Sequence, residues 1–132
     1  MVSQDNVKLD FSKFIKHEWS NETYKRDNNK DGAFVFDLLY RFRNWESMKP
    51  NELLGRDNHP IKLEEIAKVC PGIIAVLADH DKDDYITELV SLHVGGEARL
   101  WAHRKGNIFY VLFYDPRHEI YPVQHRRKKG RR

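Results

Sequence analysis

The sequence is poor in cysteine and has no long apolar run. Cys70 is its only cysteine, so no disulfide can form within the chain. That usage is typical of proteins from a reducing compartment. No segment approaches the roughly 18 apolar residues of a membrane span, and the first ten residues lack the apolar core of a signal peptide. These absences predict a cytoplasmic protein with no membrane partner.

Charge is distributed unevenly along the chain. The formal net charge of +3 comes from 23 basic and 20 acidic residues. Six of the basic residues lie together near the C-terminal end, which leaves 17 basic against 20 acidic residues elsewhere. A chain of 132 residues has the size of one domain. We expect a single domain over residues 1–122 and a basic, flexible tail over residues 123–132.

The basic tail suggests a polyanionic partner. Its cationic residues are Arg126, Arg127, Lys128, Lys129, Arg131 and Arg132. Such a cluster binds nucleic acid by neutralising phosphates and releasing counterions. A solvated end that makes only non-specific contacts is the alternative.

Helical periodicity dominates the first half of the chain. Apolar residues recur at helical spacing from Ala33 to Met48, which predicts the longest helix. Pro50 followed by Gly55 predicts a short helical turn between them. Residues 62–69 and 73–77 are also predicted to be helical. Residues 56–60 are predicted to form a loop, because the residue before a proline avoids the helical region.

Alternation with a period of two replaces this pattern after Tyr85. Gly95-Gly96 and Arg104–Asn107 supply turns, so three antiparallel strands are expected, with a short fourth strand at Glu119–Tyr121. Helices precede strands along the chain. The predicted fold class is therefore α+β, with N-terminal helices packed on a C-terminal antiparallel sheet of three to four strands.

The two faces of this sheet differ in composition. If Arg104 opposes Asn107, one face is wholly apolar and carries Ala98, Leu100, Ala102, Phe109, Val111 and Phe113. The other face carries Arg99, Trp101, His103, Ile108, Tyr110, Leu112 and Tyr114. Cations interleaved with aromatic rings are typical of surfaces that stack RNA bases and neutralise phosphates. The alternatives are a second helix covering this face, or a protein partner.

Chemically capable side chains concentrate around the end of the last strand. His118 follows Asp115, and an imidazole near neutral pH can act as general acid or base. Metal-free RNA cleavage also needs a cation at the phosphate. The predicted catalytic residues are His118, Arg99, Tyr110 and His103, with Arg104 and Arg117 as further RNA-binding residues. The alternative is a strand-terminating turn whose charges pair with one another.

Metal-binding patterns are incomplete. Asp27–Gly32 matches the first half of an EF-hand loop, but Leu38 occupies the position of the bidentate glutamate. No His or Cys pair has the spacing of a zinc site. We therefore predict no metal and no cofactor, and leave open whether His59, His80, His103 and His118 converge in space.

Two segments carry a family resemblance. Together they resemble a group of small uncharacterised bacterial and mobile-element proteins. The first segment is Asn58-His59-Pro60-Ile61. The second runs from Arg99 through Gly106–Tyr110 to Asp115-Pro116, His118 and Tyr121-Pro122. The order of helices and sheet also resembles the RelE/ParE-like toxins. That resemblance implies a ribosome-dependent RNase with Arg99 on a sheet strand, an RNA or ribosome partner, and an antitoxin protein.

The leading hypothesis is a small RNA-engaging protein, in its most specific form a RelE-like, metal-independent endoribonuclease toxin of a toxin-antitoxin or defence system. The competing hypothesis is a non-enzymatic, phage- or defence-associated module that presents the aromatic sheet face to a protein partner.

Overall fold

The alternating sequence after Tyr85 forms the centre of a five-stranded sheet. The computed structural model describes residues 5–15, 33–55, 57–78, 85–96, 98–115 and 120–121. Within these residues the strands are β1 (Lys8–Asp10), β2 (His59–Lys62), β3 (Glu88–Gly95), β4 (Ala98–Lys105) and β5 (Ile108–Asp115). The helices are α1 (Ala33–Trp45), α2 (Pro50–Leu53), α3 (Leu63–Val69) and α4 (Gly72–Ala78). The predicted α+β class is confirmed.

Two short strands extend the sheet beyond the three that periodicity predicts. The strand order is β1-β5-β4-β3-β2, in which β1 runs parallel to β5 and the other pairs are antiparallel. The prediction of a loop through Pro60 is wrong at its end, because His59 and Pro60 begin β2. An edge strand tolerates this proline, since its missing N–H can face away from the ladder.

The β4–β5 hairpin turns one residue later than predicted. Lys105 opposes Ile108, which leaves Gly106 and Asn107 as the loop, and Gly106 has the positive φ of 66° that a tight turn requires. The predicted register, with Arg104 opposite Asn107, is therefore wrong by two residues. A shift of two keeps every side chain on its predicted face near the turn.

A bulge farther along the hairpin does exchange faces. Trp101 opposes Phe113 while Ala102 opposes Val111, so Leu112 is an extra residue in β5. Phe113 thereby moves to the side of Trp101, and Tyr114 moves to the side of Leu100. The predicted placement of Phe113 and Tyr114 is wrong for this reason.

Both faces of the sheet are covered by apolar packing. A first core lies between the sheet and α1 with α2, and its buried members are Val7, Trp45, Leu53, Val90, Leu92, Val94, Ala98, Leu100, Ala102, Phe109 and Val111. A second core lies between the opposite face and α3 with α4, and its buried members are Ile15, Ile66, Ile73, Leu77, Ile86, Leu89, Trp101, Leu112, Phe113, Ile120 and Tyr121. A strand was predicted at 119–121, but Ile120 and Tyr121 contribute to this core without being in a strand.

Asp115 is a buried carboxylate that fastens the end of β5 to the second core. Its side chain is fully buried. Oδ2 accepts hydrogen bonds from the indole Nε1–H of Trp101, at 3.2 Å, and from the backbone N–H of Ile120, at 2.9 Å. Asp115 therefore connects Trp101 of β4 with Ile120, whereas the rest of the predicted strand-terminating turn, with Arg117 and His118, lies outside the described residues.

We expect Asp115→Ala to lower the free energy of unfolding by about 3 to 5 kcal/mol, because both donors lose their acceptor in a buried setting. Asp115→Asn should cost less, since one acceptor oxygen remains. Urea denaturation followed by tryptophan fluorescence measures both values. Asp57→Ala removes an exposed carboxylate and is the matched control; an equal effect of the two alanine variants would contradict the anchoring role.

Candidate nucleic-acid interface

The sheet face that carries Arg99, Trp101 and His103, which we call the mixed face, is closed to any partner at its centre. Trp101 and Phe113 are fully buried, and Leu112 is nearly so, beneath α3 and α4. This part of the face is therefore not available as the predicted RNA-binding surface, and the alternative in which helices cover the face is confirmed here. The rings of Trp101 and Phe113 therefore serve as core packing, and a protein partner cannot reach them.

The hairpin end of the same face remains accessible. His103 opposes Tyr110 across the β4–β5 ladder, and both side chains are half-buried. Ile108 of β5 pairs with Lys8 on the neighbouring strand β1 and with Lys105 on the neighbouring strand β4. Residues that pair directly across strands point to the same face, so both lysines lie on this face. Lys13 follows β1. We call Lys8, Lys13, His103, Lys105 and Tyr110 the basic hairpin surface.

Two ammonium groups approach the Tyr110 ring. The Nζ atom of Lys13 lies 4.8 Å from the ring centroid, and that of Lys105 lies 5.9 Å from it. Both distances are within the range of cation–π attraction. The contacts hold the two positive charges beside an aromatic ring, which is the combination that single-stranded nucleic acids bind.

A carboxylate shapes the turn that carries Lys13. Oδ1 of Asp10 accepts hydrogen bonds from both the hydroxyl and the backbone N–H of Ser12, the latter at 2.8 Å. These bonds, with a smaller contribution from the charges of Lys8 and Lys13, hold the pKa of Asp10 below its ordinary value. Asp10 is therefore ionised at neutral pH and offsets one lysine of the basic hairpin surface.

Arg99 lies at the other end of β4. Its Nη1 donates to the carbonyl oxygens of Gly96, at 3.0 Å, and Ala98, at 3.1 Å, so the guanidinium supports the β3–β4 turn. Four residues of strand separate Arg99 from His103, which corresponds to about 13 Å. The buried ring of Trp101 lies between them on the same face. The guanidinium of Arg99 is thus held at the β3–β4 turn, at the opposite end of β4 from His103.

Arg104 faces the opposite side of the sheet. It opposes Phe109 of the first core, and its guanidinium carbon lies 5.6 Å from that ring. Its Nε donates to the carbonyl oxygen of Gly106 at 2.6 Å. The exposed Arg104 thus adds positive charge at the hairpin tip without being part of the basic hairpin surface.

Several predicted site residues lie outside the described residues. These are Arg117, His118, Arg126, Arg127, Lys128, Lys129, Arg131 and Arg132, together with His80 and the Asp27–Gly32 segment. Among the candidates that are described, the structure brings His103 and Tyr110 together and separates both from Arg99.

The sequence reasoning missed the three lysines of the basic hairpin surface. Lys8 and Lys13 reach it through β1, whose three residues include only one apolar side chain, Leu9, and so give no periodic signal. Lys105 was assigned to the turn. Tyr110 was the one residue in the sequence that could have pointed to these lysines, because an aromatic ring on this face attracts neighbouring cations.

The described parts of the chain were also compared with the requirements of a metal site and of a membrane-spanning helix. Across those ranges, no three His, Cys, Asp or Glu side chains are placed to hold a metal ion. His59 on β2 and His103 on β4 are separated by β3. No described helix has the length and hydropathy to cross a bilayer.

Comparison with family models, curated proteins and solved structures yields no match for this chain. The resemblances drawn from its motifs and element order therefore remain predictions, and functional inference rests on the geometry of the basic hairpin surface.

The Asp10 turn gives a prediction with a defined sign. Ser12→Ala removes the hydroxyl donor, so the pKa of Asp10 should rise towards its ordinary value, as measured by carbon-detected NMR titration. Because the folded-state pKa is lowered, Asp10 contributes stability that is present above its unfolded pKa and is lost as the pH falls through its folded pKa. Thr87→Ala removes an exposed hydroxyl just before β3, which β4 and β5 separate from β1, and should leave this titration unchanged. An unmoved Asp10 pKa in Ser12→Ala would refute the role of the hydroxyl.

Proposed function

We propose that this chain is a small RNA-engaging protein and that the basic hairpin surface is its contact site. The observation that supports this proposal is the placement of two lysine ammonium groups against the ring of Tyr110, with His103 directly opposite. Phosphates bind the ammonium groups, and a base stacks on the part of the ring that is exposed. Residues 126–132 add an electrostatic arm that draws polyanions from a distance.

A single-stranded partner suits this surface better than a duplex. Tyr110 offers stacking to a base whose face is free, and bases in a duplex are already stacked. The charges are compact ammonium groups, which neutralise phosphates without reading base edges. We therefore expect low sequence preference and a strong dependence on salt.

Endoribonuclease activity is the more specific form of the proposal. Within the basic hairpin surface, His103 would exchange the proton, and Lys13 and Lys105 would stabilise charge on the phosphate. His118 is proposed from its place after Asp115 in the sequence. Arg99, whose guanidinium is held at the β3–β4 turn, would contact another part of the RNA.

The biological setting follows from the motif resemblance and is proposed on that basis. A RelE-like toxin of a toxin-antitoxin or defence system would meet RNA on the ribosome, in the cytoplasm, and would be held inactive by an antitoxin protein. The basic hairpin surface is where an acidic antitoxin segment would compete with RNA.

The binding proposal predicts that replacing both Lys13 and Lys105 by Gln weakens binding of labelled oligo-uridine about tenfold or more at low salt. The slope of log affinity against log salt should fall by roughly 0.7 for each lysine that contacts a phosphate. Fluorescence anisotropy across a salt series measures both quantities.

Lys68→Gln provides the matched control for this experiment. It also removes one lysine charge, but from α3, where Lys68 pairs with Glu65 at 3.4 Å. Lys13→Gln and Lys105→Gln are therefore also measured singly, and weakening by Lys68→Gln as large as by either of them would show a general charge effect and would contradict a site at the hairpin.

The cleavage proposal is tested with purified protein and RNA in chelator-containing buffer, with and without translating ribosomes. Cleavage should be seen in at least one setting, and His103→Gln and His118→Ala should each slow it by about 100-fold or more. Circular dichroism confirms that the variants fold. Intact RNA in both settings would exclude the endoribonuclease form while leaving the binding result unaffected.

A further inference from the structure

The turn that follows β1 exposes two aromatic rings. Phe11 is 43% exposed and Phe14 is 38% exposed, although both side chains are large and apolar. Their ring centroids lie 6.5 Å apart, and the ring planes are inclined by 52°. A single exposed apolar residue is common on protein surfaces, but two exposed rings in contact form a small apolar platform. We call residues 11–14 the aromatic turn.

The aromatic turn adjoins the basic hairpin surface. Lys13 stands between Phe11 and Phe14 in the chain. Its Nζ atom lies 4.8 Å from the centroid of the Tyr110 ring. A ligand that covers Tyr110 and continues past Lys13 therefore meets the two phenylalanine rings.

Local contacts hold the aromatic turn in place. Oδ1 of Asp10 accepts hydrogen bonds from the hydroxyl and from the backbone N–H of Ser12. The backbone N–H of Phe14 donates to the Phe11 carbonyl at 3.1 Å. The Phe11 ring also packs against Phe42 of α1, with 5.4 Å between the centroids. Because these contacts already order the turn, covering its rings with a ligand costs little conformational entropy.

Charge and ring exposure together indicate the class of ligand. Lys8, Lys13 and Lys105 place three positive charges at this surface, against one negative charge from Asp10. The Asp10 carboxylate is engaged by Ser12, so the lysines dominate the charge that a ligand meets. Polyanions are attracted by the lysines, and ligands with free planar faces can stack on the rings. Single-stranded nucleic acid combines both properties.

We propose that the aromatic turn is a second base-binding site for single-stranded RNA on the basic hairpin surface, an inference that rests on the function proposed above. One base stacks on the exposed part of Tyr110, and Lys13 holds the phosphate beside it. The following base stacks on Phe14 or Phe11. Because every base has a planar face, the second site binds all four bases with little preference.

Replacing Phe11 and Phe14 together by Leu tests the second site, because leucine keeps the apolar character but lacks the ring. The double variant should bind labelled oligo-uridine about tenfold more weakly, since a stacked base is lost. The slope of log affinity against log salt should equal that of the wild-type chain, because no charge is removed. Fluorescence anisotropy across a salt series measures both quantities.

Two further variants serve as controls. Replacing Phe11 and Phe14 by Tyr keeps both rings and should preserve wild-type affinity. Tyr85→Leu removes a ring that is 90% exposed and precedes β3, which β4 and β5 separate from β1, and it should leave binding unchanged. Circular dichroism checks that each variant is folded. A leucine double variant that folds and binds oligo-uridine like the wild-type chain overturns the second site.

An abasic oligonucleotide of the same length separates stacking from charge. The wild-type chain should bind it more weakly than oligo-uridine, because neither aromatic site has a base to stack on. The leucine double variant should bind the abasic strand as the wild-type chain does. Equal weakening for both strands would show that the two rings only support the lysines, and would overturn the second site.

NMR of the unmodified chain provides a test that is independent of how the variants fold. With oligo-uridine bound, nuclear Overhauser effects should connect the ring protons of Phe11 or Phe14 with H5 and H6 of uracil. Contacts from uracil to Tyr110 alone would overturn the second site and leave the proposed function in place. A chain that binds no oligonucleotide at low salt would overturn both.

Discussion

The extra residue at Leu112 in β5 is the feature on which the rest of the structure depends. It turns Phe113 towards Trp101 in the second core and Tyr114 towards Leu100 in the first, so β5 supplies an aromatic ring to each core. It brings Asp115 to the side of Trp101, where the carboxylate accepts the indole N–H. The carbonyl of Leu112 itself accepts the backbone N–H of Ile15 at 2.7 Å, which ties the segment after β1 to the sheet.

This arrangement determines where a binding site can be. Because α1 covers one face of the sheet and α3 with α4 cover the other, the described polar and aromatic groups are accessible mainly at the ends of the strands. At one end of β4, Arg99 is engaged with the β3–β4 turn. The other end keeps His103 and Tyr110 half-buried, with lysines beside them. The proposed RNA contact therefore rests on the hairpin end of the sheet, where His103, Tyr110 and the lysines lie together.

The sequence predicts the regular elements well and their assembly less well. Helical periodicity places α1, α3 and α4 within a few residues, because each buries a stripe against the sheet. The bulge could not be predicted, since Leu112 and Phe113 are both apolar and fit either face. Trp101 is buried because α3 and α4 pack over its face of the sheet. This packing is a long-range arrangement that no local sequence pattern reveals. Tyr110 and His103 were predicted as site residues, but Lys13 depends on the parallel pairing of β1 with β5, a contact between residues a hundred positions apart.

The basic hairpin surface is nevertheless tied to the helical layer on the far side of the sheet. β1 is only three residues long, and hydrogen bonds to the end of α1 and the residues after it hold it in place. The backbone N–H of Val7 donates to the Met48 carbonyl at 2.8 Å, and that of Leu9 donates to Oε2 of Glu46 at 2.8 Å. A shift of the C-terminal end of α1 would therefore move β1, and with it Lys13, while β4 and β5 keep their pairing. The position of Lys13 beside Tyr110 therefore depends on the residues that follow α1 as well as on the parallel pairing of β1 with β5.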